Sequence, residues 1–326
     1  MASQYSPQQK HPLMARAEAL AGAGRPEEAM LLIRQLAAQG DPDALFVLAR
    51  NLWGGGALAS DPVAARVQFD LAAKAGHGPA RIVSTNLLAS GIAGPRDWLA
   101  ALARMPGEAS IDPRRKAQIE LLAKMALTPA GNPETCRKPE RLSDAPDVLR
   151  FPGFATAAEC AYLLESGGKN YRPAQINDGR GGTRLDPIRN SDEFTLHWLI
   201  EDPVVHAINR RIAAVSGSDA DRGEAIQLLR YRPGQQYRSH YDYNPQLDNQ
   251  RVTTALIYLN HDYKGGETNF VKTPLKFKAR KGDLLLFRNI LPGGAVDPLS
   301  EHCGMPVISG TKHIASRWIR AERFVP

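Results

Sequence analysis

Alanine and leucine recur at helical spacing through about the first hundred residues, whereas short apolar runs of strand character fill the stretch from Leu229 to Trp318. Two segments of the first part align with each other. QGDPDALFVLARNLWGGG and AGHGPARIVSTNLLASG place Gly40 on Gly76, Ala44 on Ala80, Leu52 on Leu88 and Gly55 on Gly91, a period of 36 residues. Small residues where two helices cross, with glycine closing each hairpin, predict stacked helical hairpins. PEEAMLLIRQLAAQG before them and DWLAALARM after them fit flanking or capping half-repeats. From about 105 to 145 the pattern breaks: MPGEASIDPRRK is polar, QIELLAKMAL is one helix-like run, and the prolines and glycine of TPAGNPETCRKPERLSDAP predict an irregular connector. VLRFPGFATAAECAYLLESG predicts a helix capped by Thr156 with Glu159 in its first turn, and DPVVHAINRRIAAVSG a second helix. RVTTALIYLN and KGDLLLF read as strands separated by a turn at KGGETNF, and GTKHIASRWIR as the last strand. The expected fold class is α+β: an all-α helical-repeat domain over residues 1–125, a linker over 126–145, and a barrel with supporting helices over 146–326.

With 326 residues the chain can bury two separate cores. No apolar run reaches the roughly 18 residues a membrane helix needs, and MASQYSPQQK has no charged region leading into an apolar one, so neither a span nor a secretory signal is expected. Three cysteines, Cys136, Cys160 and Cys303, are too scattered for a disulfide framework or a cysteine metal site, and a cytoplasmic location is the expectation. Cys303 is read as a packing residue. The net charge of +7 admits acidic partners, but the arginines are dispersed and no basic run is interleaved with aromatics, which argues against nucleic acid. INDGRGGTRLDPIRNSDEF, with few apolar residues, reads either as a plain surface loop or as a lid over a substrate.

Candidate chemistry concentrates in the last third. His240 and Asp242 are two apart, so on a strand both project to one face and can grip one metal ion. That pair alone also suits a zinc hydrolase or a capped turn. His302 in LSEHCGMPVISG is the third candidate, and two histidines with one carboxylate suit non-haem Fe(II). His197 and His206 precede the barrel, His261 lies in a turn and His313 faces away from Lys312, so none of them is chosen. In the last strand Lys312, Ile314, Ser316 and Trp318 share a face, and an ammonium on an apolar inner wall is costly unless an anion meets it. The carboxylate of a diffusible co-substrate would be such an anion.

The strings RYRPGQQYRSHYD, YLN, GGET, KGDLLLF, EHCGMPV and GTKHIASRWIR occur together in an order and spacing that resemble the catalytic domain of prolyl 4-hydroxylases, within the Fe(II)- and 2-oxoglutarate-dependent dioxygenases. The resemblance implies a double-stranded β-helix (jelly-roll) barrel. It implies iron held by His240, Asp242 and His302, with a carboxylate of 2-oxoglutarate paired to Lys312, O₂ as oxidant and ascorbate as reductant. Tyr231 and Thr268 match further 2-oxoglutarate contacts, while Tyr237, Arg251, Glu224 and Trp318 match positions that surround the substrate. The implied substrate is proline in a peptide or protein. The first part resembles tetratricopeptide-like repeats of a longer subtype, for which the expected role is a protein partner or substrate bound on the repeats. Two other readings stay open: the same chemistry on a free amino acid or small metabolite, and a partner-binding protein whose barrel is only a scaffold.

Overall fold

The computed structural model describes residues 11–177, 183–185 and 188–326. It divides into two compact units, one ending at Ile119 and including Pro326, the other covering Glu120–Val325. Among the described residues no helix is long and apolar enough to cross a membrane.

The first unit is helical: α1 (Pro12–Gly22), α2 (Pro26–Ala38), α3 (Pro42–Gly54), α4 (Pro62–Lys74), α5 (Gly78–Ser90) and α6 (Trp98–Arg104), before α7 (Arg114–Leu122). From α1 to α6 each helix packs on its sequence neighbours. The starts at Pro26, Pro62 and Trp98 are 36 residues apart, as are those at Pro42 and Gly78, so the sequence period is also the structural one. The reason is local. Asp41, Asp61 and Asp97 each accept the backbone N–H three residues on (2.8, 2.9 and 2.9 Å), and His77 Nδ1 does the same for Ala80 at 3.0 Å. Capping at these four places satisfies donors that helix geometry leaves unpaired. Ala44 and Ala80 are fully buried, which lets neighbouring helices approach closely.

A buried ion pair also stiffens this unit. Arg115 Nε donates to Glu108 Oε2 at 2.8 Å, Thr85 Oγ1 donates to Glu108 Oε1 at 2.5 Å, and the Arg115 guanidinium reaches Gln118 Oε1 and Asn86 Oδ1 at 2.7 and 3.1 Å. Both charges are at most 1% exposed. Removing one partner strands the other in a low dielectric, so Arg115→Ala is expected to cost about 3–5 kcal/mol in denaturant unfolding. A cost below about 1 kcal/mol would show that water reaches Glu108.

The second unit opens with β1 (Glu140–Asp144), β2 (Asp147–Phe151), α8 (Ala157–Gly167), β3 (Arg172–Pro173), β4 (Ile176–Asn177), β5 (Thr183–Arg184), β6 (Asp192–Thr195) and α9 (Pro203–Ser216). It continues with β7 (Gln227–Tyr231), β8 (Tyr237–His240), β9 (Arg251–Tyr258), β10 (Lys264–Gly265), β11 (Thr268–Phe270) and β12 (Lys276–Phe277). β13 (Leu284–Arg288), β14 (His302–Gly304), β15 (Val307–Ser309) and β16 (Lys312–Arg320) complete it. An eight-stranded antiparallel sheet runs β1-β2-β13-β9-β16-β7-β6-β3, and a four-stranded one runs β12-β11-β14-β8. Leu229, Tyr231, Leu256, Leu285, Phe287 and Ile314 of the larger sheet form one apolar cluster with Phe270 and Phe277 of the smaller. Two antiparallel sheets closed over such a core make the jelly-roll barrel, and with the helices the fold class is α+β.

The helices act as supports on the other face of the larger sheet. Thr156 and Glu159 form a capping box on α8, and Glu159 is bonded to Arg211 of α9 at 2.8 and 2.9 Å. Arg317 of β16 donates to Asn209 O of α9 at 3.0 Å. β9 is therefore buried on both faces over most of its length, where its sequence suggests alternation. β1 lies inside the stretch read as linker: despite its mostly polar residues, Glu140–Asp144 pairs with β2 and edges the sheet. Of the segment read as a loop or lid, residues 178–182, 186 and 187 lie outside the described residues, while Ile176–Asn177 and Thr183–Arg184 pair with each other.

Candidate metal centre

β8 and β14 pair antiparallel with His240 directly opposite His302, which brings together two residues distant in sequence. Their rings are 4.3 Å apart. Strand β8 ends at His240, so Asp242 stands in the following loop and not on the strand as the two-residue spacing suggests. It still faces both imidazoles, with Oδ1 3.6 Å from His240 Nε2 and Oδ2 3.7 Å from His302 Nε2. These separations are too long for hydrogen bonds and suit three groups turned toward one shared centre. Among the described residues this is the one group of His, Cys, Asp and Glu side chains placed to hold a metal ion.

The surroundings favour ligation. His240 Nδ1 lies 2.8 Å from Arg238 O and His302 Nδ1 lies 3.0 Å from Ser300 O. A carbonyl only accepts, so each Nδ1 carries the proton and each Nε2 lone pair points at the centre. Burial, then the neighbouring His240 ring, push the His302 imidazole down to about 4, which keeps it neutral as a ligand must be. Burial alone would raise Asp242, but the two imidazoles and the Thr254 hydroxyl outweigh it and hold the carboxyl well below its ordinary range. Thr254 Oγ1 donates to Asp242 Oδ2 at 2.6 Å and accepts from Asn289 Nδ2 at 3.0 Å. Phe270 and Phe287 close in on His302, with ring centres at 5.9 and 4.8 Å. Thr254→Val removes the hydroxyl and keeps the shape, so metal affinity is expected to fall about 10- to 100-fold in a titration with the protein alone. Unchanged affinity would show that the carboxylate needs no orienting donor.

The same cavity is walled by Lys312, Tyr231 and Thr268. Lys312 is 2% exposed; its Nζ donates to Gly266 O at 2.7 Å and lies over the rings of Tyr231 and Tyr258 at 5.3 and 5.4 Å. Gly266 has φ +69°, in the turn read from KGGETNF, and a Cβ there would press on the Lys312 side chain at 3.2 Å. Burial pushes the ammonium down to about 8, partly offset by Glu267. Tyr258 Oη and Thr268 Oγ1 are 2.6 Å apart. Among the described residues no carboxylate ion-pairs with Lys312, and Glu267 offsets its burial only in part, so the cavity holds a buried cation with no direct anionic partner among them.

Tyr237 and Trp318 also line the cavity. Tyr237 stacks on His240 at 3.5 Å, and Trp318 Nε1 is buried without a hydrogen-bond partner among the described residues. Arg251 and Glu224 are not on that wall. Arg251 is bound to Glu224 at 2.6 and 2.9 Å and stacks over the Trp318 ring at 3.9 Å, close enough to Asp242 and Tyr237 to act on both electrostatically. Sequence reasoning missed Arg189, whose guanidinium lies 5.2 Å over Tyr237 and within 3.3 Å of Glu193. It sits outside any periodic run, held by an isolated bridge to Tyr237, so no spacing marks it. It also missed Thr254 and Asn289, polar residues within otherwise apolar strands or at their ends.

The model of the 2OG-Fe(II) oxygenase superfamily matches residues 226–320. Prolyl 4-hydroxylase 1 of Arabidopsis thaliana is 34% identical over 205 residues, covering 57% of this chain and 72% of that protein. A viral collagen prolyl hydroxylase from Paramecium bursaria Chlorella virus-1, solved as its 2OG complex, is 28% identical with a TM-score of 0.45, covering 56% of this chain and 99% of that one. A Sel1 repeat protein from Oxalobacter formigenes is 24% identical with a TM-score of 0.31 and covers 36% of this chain and 52% of that one. With a relative of that identity and extent behind the facing imidazoles and the carboxylate, the chain belongs to the prolyl 4-hydroxylases and is an Fe(II)- and 2-oxoglutarate-dependent dioxygenase.

Proposed function

We propose that this protein hydroxylates proline within a polypeptide and couples that step to oxidative decarboxylation of 2-oxoglutarate to succinate and CO₂. The observation that carries the reading is that one cavity is bordered both by the three-ligand cluster and by a buried ammonium with no direct ion-pair partner among the described residues. Iron bound there, with O₂ and 2-oxoglutarate, supplies the oxidising power to place one oxygen atom on an unactivated C–H bond. In this reading His240, Asp242 and His302 would hold the metal, a donor set of two imidazoles and one carboxylate that suits Fe(II). Lys312 takes the far carboxylate of 2-oxoglutarate, with the hydroxyls of Tyr231 and Thr268 beside it. That contact would replace the hydration Lys312 loses on burial. Tyr237 and Trp318 form a flat aromatic seat for the proline ring, and the unpartnered Trp318 Nε1 is a donor for a peptide carbonyl. Glu224 fixes Arg251 against the Trp318 ring and so holds that seat in place.

The test uses the full chain with Fe(II), ascorbate, 2-oxoglutarate and ¹⁸O₂ on proline-containing peptides, beside a His240→Ala control. The expected result is one labelled oxygen on proline with a matching amount of succinate, absent from the control. Turnover of free proline as fast as of the peptides would overturn the polypeptide reading.

A further inference from the structure

The helical unit contains a second cleft, of about 490 Å³, lined by α4, α5, α6 and the turn after it. Three cations project there, Lys74, Arg81 and Arg104, all exposed. The cleft's two carboxylates are already engaged. Asp70 Oδ1 accepts from Ser84 Oγ at 2.5 Å, and buried Glu108 is held by Arg115 and Thr85. Among the described residues Arg104 and Arg81 bond to neutral acceptors, Ser84 Oγ at 3.1 Å and Gly107 O at 3.4 Å. Among the described residues no carboxylate ion-pairs with Lys74, Arg81 or Arg104, so the positive charge of the cleft is available to a ligand.

Beside it runs an apolar ridge. Val63, Val67 and Leu71 are 60%, 51% and 42% exposed and follow one another at i, i+4, i+8 on α4. Asp70 and Lys74 lie on that same face by helical spacing, so ridge and cleft form one continuous surface. An exposed apolar stripe bordered by three cations, with the neighbouring Asp70 taken up by Ser84, is the form of a surface that binds an extended or helical segment of opposite charge.

We infer that this surface docks an acidic polypeptide segment carrying interspersed aliphatic residues, and that the segment belongs to the protein whose proline is hydroxylated. The docking stands on the cleft itself; only the second half rests on the hydroxylase reading.

The experiment measures fluorescence anisotropy of a labelled peptide of alternating Glu and Leu against the full-length protein, with a Lys-Leu peptide as control. Binding of the acidic peptide alone is expected, weakened at least about tenfold in K74E/R81E/R104E and again in V67D/L71D. No binding, equal binding of the Lys-Leu peptide, or undiminished binding to the charge-reversed variant overturns the proposal. So does capture of the protein by phosphatidylserine vesicles where the peptide fails to bind. A second arm fuses the acidic segment to a proline peptide that is a substrate. The fusion is expected to lower KM with kcat unchanged, and the charge reversal to cancel the gain. An unaltered KM overturns the substrate assignment. If neither peptide is hydroxylated, it is the hydroxylase reading that fails, and the anisotropy result is unaffected.

Discussion

Asp242→Ala is expected to lower turnover by roughly a thousandfold or more, because the metal supplies several kcal/mol of the rate enhancement and each 1.4 kcal/mol is a factor of ten. The carboxylate is the centre's one anionic donor, and both imidazoles turn their Nε2 atoms to it. Removing it leaves two neutral donors and frees the Thr254 hydroxyl, so the loss has a direct readout besides activity. Metal retained by the purified protein after dialysis is expected to fall to background, while the unfolding midpoint of metal-free protein changes little. His240→Ala is expected to behave alike. A variant that keeps its metal and loses only turnover would show Asp242 acting on substrate and not as a ligand. Full activity in Asp242→Ala would refute the centre altogether.

The parts of this architecture that announce themselves in sequence are those set by local rules. Helix starts after Asp41, Asp61, His77 and Asp97 follow from capping chemistry, and the pairs Asp41/His77 and Asp61/Asp97 each repeat at 36 residues. The alternation in GTKHIASRWIR puts Lys312, Ile314, Ser316 and Trp318 on one wall, where all four line the cavity. What did not show depends on contacts between distant segments. Glu140–Asp144 is mostly polar, with Leu142 alone packing on the core, and its pairing with β2 makes it a strand. Thr254 bonds Asp242 directly from β9, a contact between segments that the strand's alternation does not reveal. Arg189 enters through a single bridge. Arg251 and Glu224 have the residue types expected around a substrate, and the ion pair that joins them beside Trp318 is not encoded in their sequence spacing.

Lys312→Met is expected to raise the KM for 2-oxoglutarate on the order of a hundredfold or more while kcat at saturation falls far less, since truncating one partner of a buried charge pair costs about 2–5 kcal/mol. The wild-type protein should reveal the same contact through pH. Burial brings the ammonium down to about 8, so the cation is complete below that pH and is lost above it. An anion binds the cationic form, so KM is expected to stay flat to about pH 7 and then climb roughly tenfold per unit above 8. Stability without co-substrate should move the opposite way. The folded state releases this proton near 8 and the unfolded chain near 10.4, so between those values the unfolded state binds more protons and folding is favoured as pH rises. Lys312→Met carries no buried charge and should lose that pH-dependent gain. At neutral pH its metal-free form is expected to unfold no earlier than the wild type, the buried methylene stem being kept. An unchanged KM for 2-oxoglutarate in this variant would remove Lys312 from co-substrate binding. A raised KM with markedly lower stability would instead mean that the bond to Gly266 O holds the turn around Thr268, and that the affinity loss follows from a displaced wall.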